Sequence, residues 1–524
     1  MNSLIKGLKP KSIKQHFVKG LLLGFSFLIC GTAWGQTLPV GSWGEQLLRT
    51  AQITNQSKDS SNMVSRPLGL ASLDSSETLR SLVLGNFRLS RSRNIYFGLL
   101  PIAWKQQEVT HHPIFANDGA MIPAKGYQTM LSAGLYGRLG PLQVQLNPEF
   151  VYAGNPPYKN APFFGGATKG NYRKIFAGQS DAGLHAGPFA VSVSTENLWW
   201  GPGVHGSLLM TNQAPGFLHA KLHTTRPFKT PIGSFEFSLI GGILSSDSTR
   251  PFDNEWLQYQ THMPADRYLN GYVFSYQPKF IKGLSVGVTR AIQQYKKDVS
   301  ASSGNFLNKY LPILLKAAKK NNASDDDLMN TDQLASIFFR WQFRKAKAEV
   351  YSEFGYNDYK ANTRDFVLNL PHAAAYLVGF RKGFVLSDST LLEIGFEVAQ
   401  LSESPDRLVR GAGNWYEHGG IFEGYTHQNQ VMGSAFASNT QTLQVAFQKG
   451  LQRTSFLFQQ AQRYPLFQNI YWNDYQLTAR HGRLFRQLYL FGQVQIVRSM
   501  NYGWEHGQNV TQLLLATGIH YNFN

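Results

Sequence analysis

Apolar and polar side chains alternate with a period of two in segment after segment of this chain, while past residue 35 there is no apolar run of the ~18 residues that a membrane-spanning helix requires. In Phe189–Glu196 the apolar Phe189, Val191 and Val193 take odd positions, and Ser192, Ser194 and Glu196 take even ones. Leu142–Leu146, Phe235–Leu239 and Leu443–Phe447 repeat the pattern. Successive side chains of a strand point to opposite faces, so each segment offers one apolar and one polar surface. The chain is also 13% aromatic and carries 49 glycines, which suits neither a helical bundle nor an ordinary mixed domain. An all-β, transmembrane antiparallel barrel accounts for both, with aromatic girdles at the interfaces, glycine at the turns, lipid outside and a polar lumen inside.

Residues 1–35 read as a secretory signal peptide. Five lysines (Lys6, Lys9, Lys11, Lys14, Lys19) precede the apolar stretch Leu21–Cys30, and Ala33-Trp34-Gly35 forms a small-x-small cleavage site before Gln36. Ile29 stands where a lipoprotein signal needs a small residue before Cys30, so cleavage after Gly35 is the preferred reading and leaves no cysteine. An exported chain of this size is then held by packing or by a closed hydrogen-bond ladder, not by disulfides. The formal charge of +18 falls to +13 once the five leader lysines, with no acidic residue among them, are removed. Such an excess attracts acidic glycans or lipopolysaccharide phosphates. Export and the lack of any recognition motif exclude nucleic acid as a partner.

Local patterns fill in the plan. With Lys345-Ala346 as the turn of a hairpin over Phe339–Phe354, Gln342 faces Glu349 and Arg340 faces Tyr351, with Glu349 and Glu353 diagonal to Arg340. That register puts Phe339, Trp341, Phe343, Val350 and Phe354 on the other face and predicts lumen charges paired across the wall. The chain closes on alternating Leu513–Phe523, a terminal barrel strand followed by Asn524. Two stretches are helical in pattern: Ser42-x-x-Glu45 leading into Leu47, Leu48 and Ala51, and an insertion around 305–330 bearing Lys316, Lys319 and Lys320. The expected organisation is a helical, periplasmic region over 36–80 and a barrel over 81–524.

Thr195–Phe217 ends an alternating strand in Trp199-Trp200 and a Gly/Pro-rich turn. Its elements Glu196-Asn-Leu-Trp199-Trp200-Gly201-Pro202-Gly203 and Asn212-Gln-Ala214-Pro215-Gly216-Phe217, with Arg226-Pro227 and Ile232–Glu236, resemble the capsule assembly Wzi family of outer-membrane proteins. Asn117-Asp-Gly119, Leu146–Glu149, Gly178-Gln179-Ser180, Ala348–Glu353, Trp415–His418 and Gly424–His427 extend the resemblance from about residue 40 to the C-terminus. It implies a barrel of about 18 strands in the outer membrane, acting as a lectin that helps attach exported polysaccharide to the cell surface. No catalytic step, metal or cofactor is implied.

Candidate polysaccharide contacts are Trp199, Trp200, His205, Asn212 and Arg226, and in a second Gly-rich stretch Trp415, Tyr416, His418, Tyr425 and His427. An indole face packs against the C–H face of a pyranose. The bland alternative makes the Trp pair interfacial girdle residues, and adjacency on an extended chain sends the two rings to opposite sides. For the second cluster the competing reading is loop packing; the histidine spacing does not fit a compact metal site. Glu149, Glu196, Glu236, Arg340, Glu349 and Glu353 form the expected lumen charge network. Carboxylate pairs could also hydrolyse a glycoside, and Ser180 lies in a glycine-flanked stretch one residue too long for a nucleophile elbow. Expected partners are surface polysaccharide, acidic by charge complementarity, outer-membrane lipid and lipopolysaccharide, the barrel-insertion machinery and, secondarily, polysaccharide export proteins. A channel for sugars or other small solutes and a barrel-borne envelope hydrolase stand as the two rival functions.

Overall fold

The computed structural model describes residues 36–54, 61–69, 88–90, 95–114, 117–158, 170–247, 265–301, 331–357, 374–387, 390–401, 415–418, 420–434, 439–463 and 470–523. The signal peptide and the 305–330 insertion lie outside these residues.

The alternating segments form one continuous antiparallel sheet. Its first strands carry short breaks: β1 (Ile95–Leu99 and Ile102–Val109), β2 (Gly126–Ser132 and Leu135–Leu139), β3 (Leu142–Leu146 and Glu149–Ala153) and β4 (Tyr172–Phe176 and Asp181–Ala186). Next come β5 (Phe189–Ser194), β6 (His219–Thr224 and Phe228–Thr230), β7 (Gly233–Leu244), β8 (Arg267–Pro278) and β9 (Leu284–Tyr295). The wall continues through β10 (Thr331–Phe343), β11 (Ala348–Asn357), β12 (Ala374–Ser387), β13 (Thr390–Gln400) and β14 (Asn439–Lys449). It ends with β15 (Gln452–Arg463), β16 (Trp472–Phe485), β17 (Leu488–Met500) and β18 (Val510–Tyr521). β18 pairs with β1, from Leu514↔Val109 to Tyr521↔Ile102, so each of the eighteen wall strands has a partner on both edges.

The two faces follow the sequence period. Val191 and Val193 are 60% and 54% exposed, whereas Ser192 and Ser194 between and beyond them are buried. Phe339, Trp341 and Phe343 in β10, Leu443 and Phe447 in β14, and Leu515, Ile519 and Tyr521 in β18 also point outward. An apolar surface this extensive around a whole sheet is a lipid-facing band. No helix among the described residues is long and apolar enough to cross a membrane. The hairpin register is as expected, with Arg340↔Tyr351 and Gln342↔Glu349 around the 344–347 turn. Turns such as 140–141, 187–188 and 450–451 gather at one end, and long connections such as 195–218 and 401–438 at the other; in barrels of this kind the short turns face the periplasm.

The lumen is not open. α1 (Trp43–Ile53) and the extended residues 61–69 run inside it, and the loops 195–218 and 415–434 fold inward to meet them. Ser65-Arg66 pairs with Trp199-Trp200, while Thr211 N–H donates to the Met432 carbonyl at 2.8 Å. The main core therefore lies within the barrel: Trp200, Leu208, Phe217, Trp415 and Tyr425 of the plug pack on Leu269, Val273, Ala291 and Leu334 of β8–β10. Residues 36–54 and 61–69 thus depart from the expectation of a separate periplasmic region, because Arg49 and Asn62 find their partners on the wall. At the start of α1 the expected capping box does not form, since the N-cap Ser42 N–H goes to the Pro39 carbonyl at 3.2 Å. Glu45 accepts from Gly41 N–H at 2.7 Å, and the Ser42 side chain makes no cap bond.

Candidate functional site

One side of the lumen ties the plug down through charge. Register places Glu349 directly opposite Arg381 and diagonal to Arg340. The Glu349 carboxylate is fully buried and meets three guanidinium groups: Arg340 at 2.6 Å, Arg381 at 3.0 Å and Arg49 of α1 at 3.0 Å. Arg49 also donates to the carbonyls of Gly203 (3.1 Å) and Pro202 (2.6 Å), joining helix, loop and wall in one side chain. Arg381 passes the chain on to Glu393 at 2.7 Å, which Thr50 of α1 and Arg453 of β15 also reach, at 2.9 Å each.

Two further wall carboxylates hold the 195–218 loop by its backbone. Glu397 accepts from the N–H groups of Val204 (2.7 Å), His205 (3.0 Å) and Gly206 (2.9 Å), and from the Tyr351 hydroxyl at 2.9 Å. Glu353 accepts from Leu208 N–H and Ser207 Oγ, both at 3.1 Å, and from Ser336 at 2.7 Å. Close approach fits the wall to these groups. A Cβ on Gly379 would stand 2.2 Å from the Tyr351 ring, and one on Gly271 would stand 2.9 Å from the Trp200 ring. Burial holds the Arg66 guanidinium below its usual pKa against the favourable field of Glu45, and burial likewise lowers His205.

The opposite side is different. Between the plug and β14–β18 with β1–β3 lies a cavity of about 440 Å³. Amides and hydroxyls such as Gln444, Ser455, Thr478 and Gln493 share its walls with Leu457, Tyr489 and Arg480, and Trp199, His205 and Asn212 line it from the plug.

The sequence profile of the capsule assembly protein Wzi family matches residues 105–512. This chain belongs to that family. The Wzi protein of Escherichia coli, described as an outer membrane protein involved in group 1 capsule assembly and a carbohydrate-binding β-barrel, superposes with a TM-score of 0.63 at 14% identity, over 94% of this chain and 100% of that one. At that identity the likeness is one of fold. OccK5 (OpdH) and OpdQ of Pseudomonas aeruginosa match at 9% and 8% identity over 80% and 82% of this chain and 97% and 96% of theirs, with TM-scores of 0.39 and 0.38, too low to bear on function. No curated protein matches the chain.

The segments that carry the family resemblance divide between the plug, which holds 196–203, 212–217, 415–418 and 424–427, and wall strands such as Ala348–Asn357. Trp199 and Trp200 are both buried, so neither is a girdle residue, and their rings do part: Trp199 lies under the Arg66 guanidinium, 4.3 Å away, and lines the cavity, while Trp200 enters the core. Asn212 donates to the Asn117 carbonyl at 2.9 Å and accepts at its own carbonyl from Gly119 N–H at 2.7 Å. Trp415, Tyr416 and Tyr425 are packed in the core, so the loop-packing reading describes them. The Tyr416 hydroxyl donates to Leu208 O at 2.8 Å and accepts from Ser434 N–H at 2.7 Å. His427 accepts from Ser245 N–H, and burial together with the Arg267 and Lys174 charges lowers its pKa to about 3. His418 accepts from Gly420 N–H at 3.1 Å. Arg226 stands apart, exposed in the break of β6 beside the 187–188 turn, because Thr225 N–H bonds Pro188 O there.

The expected charge network divides. Arg340 and Glu349 pair as foreseen, but Glu353 binds hydroxyls and backbone. Glu196 takes Lys221 at 2.6 Å, not an arginine, and Glu236 receives Asn62 N–H at 3.0 Å. Glu149 accepts from Gln179 at 3.1 Å. Ser180 bridges Asn147 N–H and the Ala177 carbonyl, with no histidine among its hydrogen-bond partners. Among the described residues no group of three His, Cys, Asp or Glu side chains could hold a metal ion. The cavity amides were overlooked as site residues, although their signal is present in the polar phase of Leu443-Gln444-Val445 and Gln493-Val494-Gln495.

Proposed function

We propose that this chain is an outer-membrane barrel that binds carbohydrate and helps hold exported capsular or extracellular polysaccharide at the cell surface, without cleaving it. The observation that carries this reading is the plug: in a member of the capsule assembly Wzi family, two inward loops and the N-terminal segment fill the lumen and are bonded to the wall at Glu349, Glu397 and Glu353. A lumen occupied in this way favours retention over conduction. Of the carboxylates weighed for hydrolysis, Glu196 is committed to Lys221 and Glu236 to a backbone amide, which supports a non-catalytic role. The basic mature chain suits an acidic glycan and the phosphates of lipopolysaccharide, and many weak contacts along one polymer suffice for retention. Lipid surrounds the apolar band; the insertion machinery and polysaccharide export proteins complete the proposed partners.

Deleting the gene and measuring cell-bound against shed polysaccharide tests the reading. Normal synthesis with more material in the medium is expected; unchanged attachment would remove the claim. Release of new reducing ends from that polysaccharide by the purified protein would favour the hydrolase instead.

A further inference from the structure

The lumen face opposite the charged lock carries neutral hydrogen-bonding groups that the plug leaves unused. Register aligns them in rows across the wall. Ser455 is opposite Arg480, Arg480 opposite Gln493, Gln493 opposite Ala516, and Ala516 opposite Gln107. In the next row Gln444 is opposite Leu457, Leu457 opposite Thr478, and Thr478 opposite Gln495. Strands are spaced about 4.8 Å apart, so the polar ends stand at intervals comparable to the width of a sugar ring.

Among the described residues, no protein group hydrogen-bonds the side chains of Gln444, Ser455, Thr478 or Gln493, and each is half-buried at the cavity wall. Polar groups inside a protein are normally partnered. On the plug side the Trp199 ring is 3% exposed, and its Nε1–H is buried without a partner. Aromatic surface continues below it in Tyr489, stacked on Trp43 with ring centres 4.4 Å apart.

The charges at the cavity wall decide which ligands fit. Lys105 is neutralised by Asp118 at 2.5 Å, and the Arg480 guanidinium lies over the Phe491 ring at 4.3 Å. Glu149, 6% exposed, keeps one carboxylate oxygen without a partner. That oxygen is sealed from the cavity, so the groups open to a ligand are the wall amides and hydroxyls. Amides that offer both donor and acceptor, beside two hydroxyls, form a set suited to a neutral polyol.

We infer that this cavity is a binding site for an uncharged, hydroxyl-rich stretch of glycan, bonded by Gln444, Gln493, Ser455 and Thr478 on the wall. The volume of about 440 Å³ lies within the ~300–1,000 Å³ of small-ligand pockets, enough for a few sugar rings and not for a polymer coil. The inference rests on the carbohydrate-binding reading and narrows it. The net basic charge of the chain suits acidic polysaccharide, and the lumen takes a neutral segment.

The test uses the purified, full-length mature barrel in detergent. The probes are oligosaccharides from partial acid hydrolysis of the producing strain's surface polysaccharide, split into neutral and acidic pools by anion exchange. Calorimetry on wild type, on a Gln444→Leu/Gln493→Leu double variant and on Thr478→Trp, which fills the cavity, should show neutral-pool affinity falling at least tenfold in both variants. Wild type should bind the acidic pool more weakly than the neutral one. Heat-modifiable gel mobility confirms that each variant keeps its barrel. Binding of intact polysaccharide, followed on the same preparations, separates the two claims. If wild type does not bind the polymer, the broader reading fails. If it binds the polymer while the neutral pool binds equally to all three proteins, or to none, the cavity assignment alone is overturned.

Discussion

The two sides of the lumen face the same plug and treat it oppositely. On β10–β13 the inward positions are charged and below 5% exposed: Arg340 1%, Glu349 0%, Arg381 4% and Glu393 2%. On β14–β17 the charges sit toward the two ends, in Arg453 with Glu393 and Arg463 with Asp474, and between them Gln444, Ser455, Thr478 and Gln493 are left half-buried against a cavity that Arg480 also lines. Charged groups cannot be buried unpaired, so a wall of them holds only if the plug completes every pair. Neutral amides can face water or a sugar, so a wall of them tolerates a gap. The asymmetry thus assigns anchoring to one side and leaves the other free for a ligand.

The sharpest way to break the contrast is Glu349→Leu. It leaves Arg340 and Arg49 without a carboxylate and Arg381 with Glu393 alone, and removing one partner from such a buried cluster costs about 3–5 kcal/mol. The plug should loosen while the barrel stays folded, read as new protease cleavage within 195–218 and in α1. Glu397→Gln comes next. The neutral amide can still accept from some of the Val204, His205 and Gly206 N–H groups but loses charge assistance, worth about 1.5–3 kcal/mol, so hydrogen exchange should rise at those three amides and not at Trp472 across the lumen.

A pH titration acts more mildly and on one loop. His427 is held neutral in the fold, with a pKa of about 3 against 6.5 when unfolded. The unfolded loop therefore takes up a proton first, and stability falls as pH drops from about 6.5 toward 3. At pH 5 the loss is about 2 kcal/mol, visible as faster hydrogen exchange over 425–432 that His427→Gln should make pH-insensitive. Least of all, Ser455→Ala on the amide side should move plug protection by under about 0.5 kcal/mol, since its side chain bonds nothing among the described residues. A large effect there would erase the distinction between the two walls.

The wall was legible in the sequence. Period-two runs placed Val191 outside and Ser192 inside, and the Phe339–Phe354 register brought Arg340 to Glu349, because both depend on neighbours a few residues away. The plug was not. Arg49 meets Glu349 across 300 residues and Arg453 meets Thr50 across 403, and no local period encodes such contacts. Trp199 and Trp200 carried the right geometric warning, that two adjacent rings diverge, but only the fold shows that both turn inward. The cavity was the least legible. Gln444 and Gln493 read simply as the polar phase of strands, since a void is defined by what does not pack against them.

The charged side of the lumen should keep the barrel shut. Planar-bilayer recordings of wild type beside Glu349→Leu address this in one measurement. The account predicts no large steady conductance from wild type and frequent openings from the variant; a large, steady wild-type current, unchanged in Glu349→Leu, would contradict it.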